Sequence, residues 1–189
     1  MMQHDACLRL LARHVGDDTI VVAIYGTAVD WDAINPRPLN YFSTGAMGLA
    51  ASHGLGFALG RPDKRVIVID GDGSLLMSLG SLVTVAEAAP RNFVHLLWHN
   101  GTYQANGAHP IPGQVRVDFV GLARSAGYRS AHAFDDLAAF EQRVASLLNE
   151  DGPVFVDLKV DAGPPQQRDY KYVHSAALRE KFKAALNDK

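Results

Sequence analysis

Two side chains with hard oxygen atoms follow two apolar runs of the sequence. Asp72 comes just after the run 66–69, and Asn100 comes just after the run 93–98. The carboxyl ends of neighbouring parallel strands meet at one edge of a sheet, where open α/β sheets bind ligands, so we expect these side chains to lie close together. Because Mg²⁺ prefers oxygen ligands and is often shared with phosphate, the pair predicts a magnesium site that holds a phosphorylated ligand.

Glycine-rich backbone surrounds this expected site. Gly71 and Gly73 flank Asp72, and glycine lets the backbone approach an anion closely. Gly73-Ser74 leads into a predicted helix, whose N-terminal amides and dipole favour phosphate. A third segment, 43–48, is expected at the same edge of the sheet.

Composition excludes several classes of protein. The 189 residues are 48% hydrophobic and 20% charged, which indicates one globular domain over residues 1–189. The formal net charge of -2, without a basic stripe, argues against a nucleic-acid partner. The single cysteine, Cys7, excludes an intrachain disulfide framework and a thiolate zinc site. No apolar run approaches the roughly 20 residues of a membrane span, and no secretory signal is visible, so we expect a cytoplasmic protein without membrane partners.

Strand-like and helix-like segments alternate along the chain. The predicted strands are 20–25, 66–70, 93–98, 128–131 and 154–160, and the predicted helices are 5–15, 46–60, 75–89, 118–126, 135–148 and 175–187. The segments 28–42 and 101–117 are rich in Pro, Gly or Asn, which is typical of loops. Continuous apolar strands are buried on both faces. The pattern therefore predicts an α/β fold with three layers, a doubly wound, mostly parallel sheet and helices on both faces.

Simpler structural explanations exist for some of these residues. Asp72 suits a helix N-cap, Asn100 suits a turn, and Met47 suits a packed core. The glycines of the segment 54–60 superficially resemble a dinucleotide fingerprint, but they follow a helical stretch and not a strand, so we expect close helix packing there.

Taken together, the motifs resemble the signature of thiamine diphosphate (ThDP) enzymes. That signature is Gly-Asp-Gly, an interval in the high twenties, and then one or two Asn. Here Asn100 follows Gly71-Asp72-Gly73 after 26 residues, and His99 stands at the preceding Asn position. The segment 45–48, with Met47 25 positions before Asp72, resembles the segment that supports the V-shape of the cofactor. The resemblance implies the ThDP-binding fold.

The resemblance also implies roles for single residues. Mg²⁺ would be bound by Asp72, Asn100 and the backbone carbonyl of Thr102. Met47 would separate the two rings of ThDP, and the carbonyl of Gly45 would accept a hydrogen bond from the aminopyrimidine. The whole set expected at the cofactor is Gly26, Thr27, Gly45, Ala46, Met47, Gly71, Asp72, Gly73, Ser74, Asn100, Thr102 and Tyr103.

One part of a ThDP site is missing from this sequence. Those enzymes need a glutamate on the pyrimidine ring for proton transfer. The four glutamates here, Glu87, Glu141, Glu150 and Glu180, all fall in or at the end of predicted helices. The length leaves no room for a second α/β domain. We therefore expect a split enzyme, in which a pyrimidine-binding (alpha) subunit supplies the glutamate in a hetero-oligomer. A homodimer of the isolated chain stays open.

Among split ThDP enzymes, the chain resembles the beta subunits of sulfopyruvate decarboxylases and the C-terminal domain of phosphonopyruvate decarboxylases. The segments that carry this resemblance are 45–48, 71–77 and 100–103. It implies decarboxylation of a small 2-oxo acid. Among the histidines, His53 and His109, the second in the loop after Asn100, are candidates for substrate contact. An acetolactate synthase-like split enzyme and a non-catalytic regulatory subunit are the alternatives, and the intact Asp72 and Asn100 argue against the second.

Overall fold

Strands and helices alternate through the computed structural model, which describes residues 1–43, 45–163 and 170–188, with the side chain of Tyr170 left out. The strands are β1 (Ile20–Ile24), β2 (Asn40–Ser43), β3 (Val66–Gly71), β4 (Phe93–His99), β5 (Thr102–Tyr103), β6 (His109–Pro110), β7 (Ser130–Phe134) and β8 (Val154–Lys159). The helices are α1 (His4–Ala12), α2 (Tyr25–Ile34), α3 (Ala50–Gly60), α4 (Asp72–Met77), α5 (Ser81–Ala88), α6 (Phe119–Ala126), α7 (Leu137–Asn149), α8 (Tyr170–Val173) and α9 (Ala176–Asn187). Among these helices none is long and apolar enough to cross a membrane.

Six strands form one parallel sheet in the order β2-β1-β3-β4-β8-β7. Every residue of β1 is buried, as are the first five residues of β3. Helices α1, α2 and α7 cover one face, and α3, α5, α6 and α9 cover the other. The predicted three-layer, doubly wound α/β fold is confirmed.

Close packing between α3 and the sheet explains Gly54, the first glycine of the segment 54–60, whereas Gly56 and Gly60 have open space around them. A Cβ atom on Gly54 would lie 2.3 Å from Cγ2 of Val68. A side chain larger than hydrogen would therefore push the helix away from the sheet. This contact agrees with the prediction of close helix packing at Gly54.

The prediction of a loop over residues 28–42 is wrong. Helix α2 occupies the first half of this segment, up to Ile34, and β2 occupies its end, at the edge of the sheet. Trp31 of α2 is completely buried, and its Nε1 donates a hydrogen bond to Oδ1 of Asn40 at 2.9 Å. The prolines at 36 and 38 lie between the two elements, where Pro ends a helix. Tertiary contacts thus order a segment whose composition suggested a loop.

Three predicted boundaries also differ from the structure. The helix predicted over 46–60 begins only at Ala50, and the helix predicted over 75–89 is divided into α4 and α5. The loop predicted over 101–117 contains the β5–β6 hairpin. Thr44, in the segment 43–48, lies outside the described residues.

The strand order creates a crevice at one edge of the sheet. From β1 the chain passes to β2 on one side, whereas from β3 it passes to β4 on the other side. Adjacent strands whose connections leave in opposite directions form a switch point, where open α/β sheets bind ligands beyond the carboxyl ends of the strands. Gly26 follows β1 and Asp72 follows β3, so both lie at this point.

Candidate functional site

A cleft of about 490 Å³, including its open mouth, lies at the carboxyl ends of β1, β3 and β4. Ten of the twelve residues predicted to contact the cofactor line it: Gly26, Thr27, Met47, Gly71, Asp72, Gly73, Ser74, Asn100, Thr102 and Tyr103. The remaining two, Gly45 and Ala46, precede Met47 but do not line the cleft. The structure thus brings most of the predicted residues together, from four separate parts of the sequence.

The carboxylate of Asp72 is held at the start of α4, where only 1% of the residue is exposed. Its Oδ1 accepts the N–H of Gly73 at 2.7 Å, and its Oδ2 accepts the N–H of Gly101 at 2.6 Å. The N-cap of α4 is Gly71, so Asp72 is not the helix cap. Burial raises the pKa of Asp72 above its ordinary value, although both amide bonds lower it. A buried carboxylate of this kind is well placed to gain from a bound cation.

Asn100 directly follows β4, beside the end of β3. Its Oδ1 accepts the N–H of Thr102 at 2.9 Å and the hydroxyl of Thr102 at 3.0 Å. Gly101 between them has a φ of 75°, in the left-handed region that favours glycine. The predicted turn and the predicted ligand site are therefore compatible, because the turn presents the amide oxygen and also supplies the N–H that binds Asp72.

Ser74 connects α4 to the segment before α3. Its Oγ accepts the N–H of Gly48 at 3.0 Å. Since this bond uses an oxygen lone pair, the hydroxyl proton stays available for an anionic acceptor. Met47, which adjoins Gly48, lines the same cleft. One hydrogen bond thus sets the position of Met47 relative to the turn that carries Asp72.

Gly73 has no room for a side chain. A Cβ atom there would lie 2.4 Å from Cδ1 of Tyr103, in the β5–β6 hairpin. The aromatic ring of Tyr103 therefore closes over the backbone of the turn, and both residues line the cleft. The glycine that the motif predicted for close approach of an anion is also required by this contact.

His99 is paired with an acidic residue of the neighbouring strand. Its Nδ1 lies 3.0 Å from Oδ1 of Asp157, and its ring packs edge-on against Phe119. Burial lowers the pKa of His99, but the bond to Asp157 and the negative charges of Asp157 and Asp72 outweigh this effect and raise it. His99 therefore keeps its proton, and a positive charge close to Asp72, up to a higher pH than an ordinary histidine does.

The two histidines predicted to contact substrate do not line the cleft. His53, on α3, has its Nδ1 2.9 Å from Oγ of Ser43, and burial lowers its pKa. His109 is exposed in β6. Their contact with substrate stays a prediction.

A comparison with known protein families matches the part of the chain that forms the cleft. The model for the C-terminal TPP-binding domain of thiamine pyrophosphate enzymes matches residues 22–158. The chain belongs to this family. The matched residues run from β1 into β8, so they include all three strand ends that form the cleft. Thiamine pyrophosphate is another name for ThDP, and the family resemblance of the motifs is confirmed.

Two relatives within the thiamine pyrophosphate enzymes differ in how much of their length this chain spans. Phosphonopyruvate decarboxylase of Streptomyces viridochromogenes is 36% identical over 176 residues, which are 93% of this chain and 44% of that protein. Sulfopyruvate decarboxylase subunit beta of Methanothermobacter thermautotrophicus is 34% identical over 163 residues, 86% of this chain and 84% of that subunit. The chain therefore spans less than half of the first relative and most of the second.

Solved structures of thiamine pyrophosphate enzymes share the fold. The ThDP-dependent 4-hydroxybenzoylformate decarboxylase of Rhodococcus jostii RHA1 superposes with a TM-score of 0.70, at 24% identity, over 87% of this chain and 33% of that one. At this identity the likeness concerns the fold alone.

None of the four glutamates lines the cleft of this thiamine pyrophosphate domain, and all four are among the described residues. Glu87 lies in α5, Glu141 in α7 and Glu180 in α9, whereas Glu150 follows the end of α7. Their placement on helices agrees with the expectation from the sequence.

The cleft also contains residues that the sequence analysis missed. Tyr25 lines it from the start of α2 with a φ of 44°, a left-handed conformation that costs a non-glycine residue about 1 kcal/mol or more. Trp98 lines it from β4, two positions before Asn100 and thus on the same face of the strand. That alternation was a usable signal for Trp98, whereas nothing in the sequence marked the strain at Tyr25.

Proposed function

We propose that this chain is the ThDP- and Mg²⁺-binding component of a 2-oxo acid decarboxylase that acts on sulfopyruvate or phosphonopyruvate. The observation that carries the proposal is the convergence of Asp72, Asn100 and Ser74 on one cleft at the switch point of the sheet. The names of the relatives support the reaction and both substrates.

The donor atoms at the cleft fit a shared magnesium ion. Among the described residues, no group of three or more His, Cys, Asp or Glu side chains could hold a metal ion by itself. The cleft instead offers the carboxylate of Asp72, the amide oxygen of Asn100 and the backbone of Thr102. Mg²⁺ is commonly bound by one or two protein carboxylates together with substrate phosphates and water. To bind it, Asn100 would release the hydroxyl of Thr102 and keep the backbone bond.

The surrounding residues fit the remainder of ThDP. Ser74 would donate its free proton to the diphosphate, and Met47, tied to Ser74 through Gly48, would hold the two rings apart. Ile24 and Trp98 give the cleft apolar walls that exclude water. When bound, ThDP supplies the electron sink for the electron pair released as CO₂ leaves the 2-oxo acid.

The glutamate required at the pyrimidine ring would come from a pyrimidine-binding partner. The four glutamates of this chain lie away from the cleft, and several relatives are named subunit beta. An apolar groove between α5 and α6 is bordered by Leu79, Val83 and Leu122. Val83 is 59% exposed and Met77 of α4 is 58% exposed. Because exposed apolar surface can mark an interaction site, we assign partner docking to this groove and to the exposed Met77 that precedes it in the sequence.

Calorimetry of the full chain tests the cofactor. ThDP should bind in the presence of Mg²⁺, and chelation of Mg²⁺ with EDTA should abolish the binding. An absence of binding with Mg²⁺ present would overturn the proposal.

Activity requires a second protein in this proposal. The full chain, mixed with a pyrimidine-binding chain from the same genome, should release CO₂ from sulfopyruvate or phosphonopyruvate, and neither chain alone should do so. Release by this chain alone would contradict the assignment of the glutamate to a partner. Variants Met77→Lys and Val83→Lys should reduce activity of the mixture without changing ThDP binding to this chain.

An acetolactate synthase-like activity is the second candidate. Acetolactate synthase 2 of Nicotiana tabacum is 34% identical over 134 residues, although these are only 61% of this chain. Formation of acetolactate from pyruvate, in place of CO₂ release from the sulfonate or phosphonate substrates, would favour it. The regulatory alternative predicts no turnover with any partner.

A further inference from the structure

Three polar side chains form a hydrogen-bonded chain inside the protein, next to the turn that carries Asp72. The hydroxyl of Tyr128 lies 3.1 Å from Nδ1 of His95, and Nε2 of His95 lies 3.3 Å from Oδ2 of Asp70. Their exposed fractions are 6% for Tyr128, 0% for His95 and 1% for Asp70. None of the three lines the cleft, so cofactor contact does not explain them.

The hydrogen bonds among these three side chains run in one consistent direction. A carboxylate only accepts hydrogen bonds, so the Nε2 of His95 carries the proton that Asp70 receives. When Nε2 carries the single ring proton, Nδ1 accepts and the phenol of Tyr128 donates there. Burial, followed by the charge of Asp70, raises the pKa of Tyr128, which keeps its hydroxyl protonated as this direction requires.

This series of hydrogen bonds ends on the backbone of the turn that carries Asp72. Oδ1 of Asp70 accepts the N–H of Gly71 at 2.9 Å. Gly71 is the N-cap of α4, and the next residue is Asp72. The peptide between Asp70 and Gly71, which leads into Asp72, is therefore oriented from the interior by Asp70, while Gly101, in the turn after the next strand, binds the carboxylate of Asp72.

Packing around His95 makes this arrangement rigid. Its ring contacts those of Phe93 and Phe155 at centroid distances of 6.1 and 5.2 Å, both edge-on. Tyr128 packs edge-on against Phe155 as well. Apolar side chains would fill this space without the desolvation that buried polar groups require. Three hydrogen-bonded polar side chains in the protein interior are better explained by the geometry that they impose on the turn that carries Asp72.

We propose that Tyr128, His95 and Asp70 are positioning residues that orient Asp72 for the metal ion and the diphosphate. The inference rests on the proposed function, since it assumes that Asp72 binds Mg²⁺ with ThDP. Groups that orient a metal ligand without touching the metal commonly change metal affinity by about tenfold or more when they are replaced.

The test is the Mg²⁺ concentration that half-saturates ThDP binding, measured by calorimetry on the full chain. His95→Leu removes both hydrogen bonds and should raise this concentration about tenfold. His95→Gln retains a donor for Asp70 and should restore most of the affinity. Tyr128→Phe removes only the hydroxyl and should raise the concentration by a smaller factor, which keeps the test available if His95→Leu does not fold.

A core variant distinguishes positioning from general stability. Val144 of α7 is completely buried on the opposite face of the sheet. Val144→Ala should lower the unfolding temperature without moving the Mg²⁺ requirement. If Tyr128→Phe and His95→Leu also lower only the unfolding temperature, the three residues are structural and the proposal fails. If the unaltered chain does not bind ThDP with Mg²⁺, the proposed function fails first.

Discussion

The Oδ2 of Asp72 accepts the backbone N–H of Gly101 at 2.6 Å, across the ends of β3 and β4. This bond joins the two turns that carry the expected metal ligands, because Asn100 immediately precedes Gly101. The parallel register of β3 and β4, in which Gly71 pairs with Trp98, brings these turns to the same level. The separation of Asp72 and Asn100 is therefore set by backbone geometry before any metal binds.

Removal of the charge on Asp72 is expected to weaken Mg²⁺-dependent ThDP binding strongly. Asp72→Asn retains the size of the side chain but provides one acceptor oxygen and no charge for the cation. Calorimetry should show an affinity loss of at least about tenfold. Asp63→Asn, at a residue whose side chain is 59% exposed near the opposite end of the sheet, should bind as the unaltered chain does.

Gly73→Ala is expected to weaken both folding and cofactor binding. Its Cβ would lie 2.4 Å from the ring of Tyr103, so the ring must move, and overpacking of this kind typically costs about 1–3 kcal/mol. Tyr103→Ala removes the obstacle. In urea denaturation, the double variant should lose less stability than the sum of the two single variants. Strict additivity would show that the two residues do not contact each other.

Acidification is expected to weaken Mg²⁺ binding. Burial raises the pKa of Asp72, so protons compete with the metal at a higher pH than they would at an exposed aspartate. Burial lowers the pKa of His99, but its bond to Asp157 and the charges of Asp157 and Asp72 together raise it, so acid also adds positive charge there. The half-saturating Mg²⁺ concentration should rise as the pH falls and should level off above both pKa values. His99→Asn should flatten part of this profile, whereas binding that strengthens with acid would contradict the assignment.

The single thiol is expected to report global unfolding. Cys7 is completely buried in α1, and burial raises its pKa to about 12. Thiolate, the reactive form, is thus scarce and inaccessible in the folded protein. Modification by a disulfide reagent at neutral pH should be slow, should accelerate in urea, and should slow further with ThDP and Mg²⁺ because ligands stabilise the folded state. Rapid modification without denaturant would contradict the packing of α1.

Tryptophan fluorescence is expected to report ThDP through one residue. The sequence contains two tryptophans. Trp98 lines the cleft, whereas the buried Trp31 does not and is bonded to Asn40. In Trp31→Phe, ThDP with Mg²⁺ should therefore change the emission, and in Trp98→Phe it should leave the emission unchanged. A response that follows Trp31 would place the cofactor elsewhere.

The sheet was largely predictable because its central strands are continuous apolar runs. Strands β1, β3, β4 and β8 were predicted within one or two residues of their ends. Helix α2 and the edge strand β2 were not, since their residues acquire order from contacts such as the bond between Trp31 and Asn40. Local composition in that segment, with two prolines, favours a loop when those contacts are not considered.

The sequence by itself determined that Asp72 and Asn100 would follow neighbouring strands within glycine-rich turns, because strand periodicity and glycine spacing are local properties. Only the tertiary structure decided how these turns are joined through Gly101 and what supports them from the interior. Hydrogen bonds between residues far apart in the chain depend on sheet register and helix packing, and local patterns do not contain that information. The polar chain from Tyr128 to Asp70 shows this most directly, since it connects three segments through contacts that only the folded sheet creates.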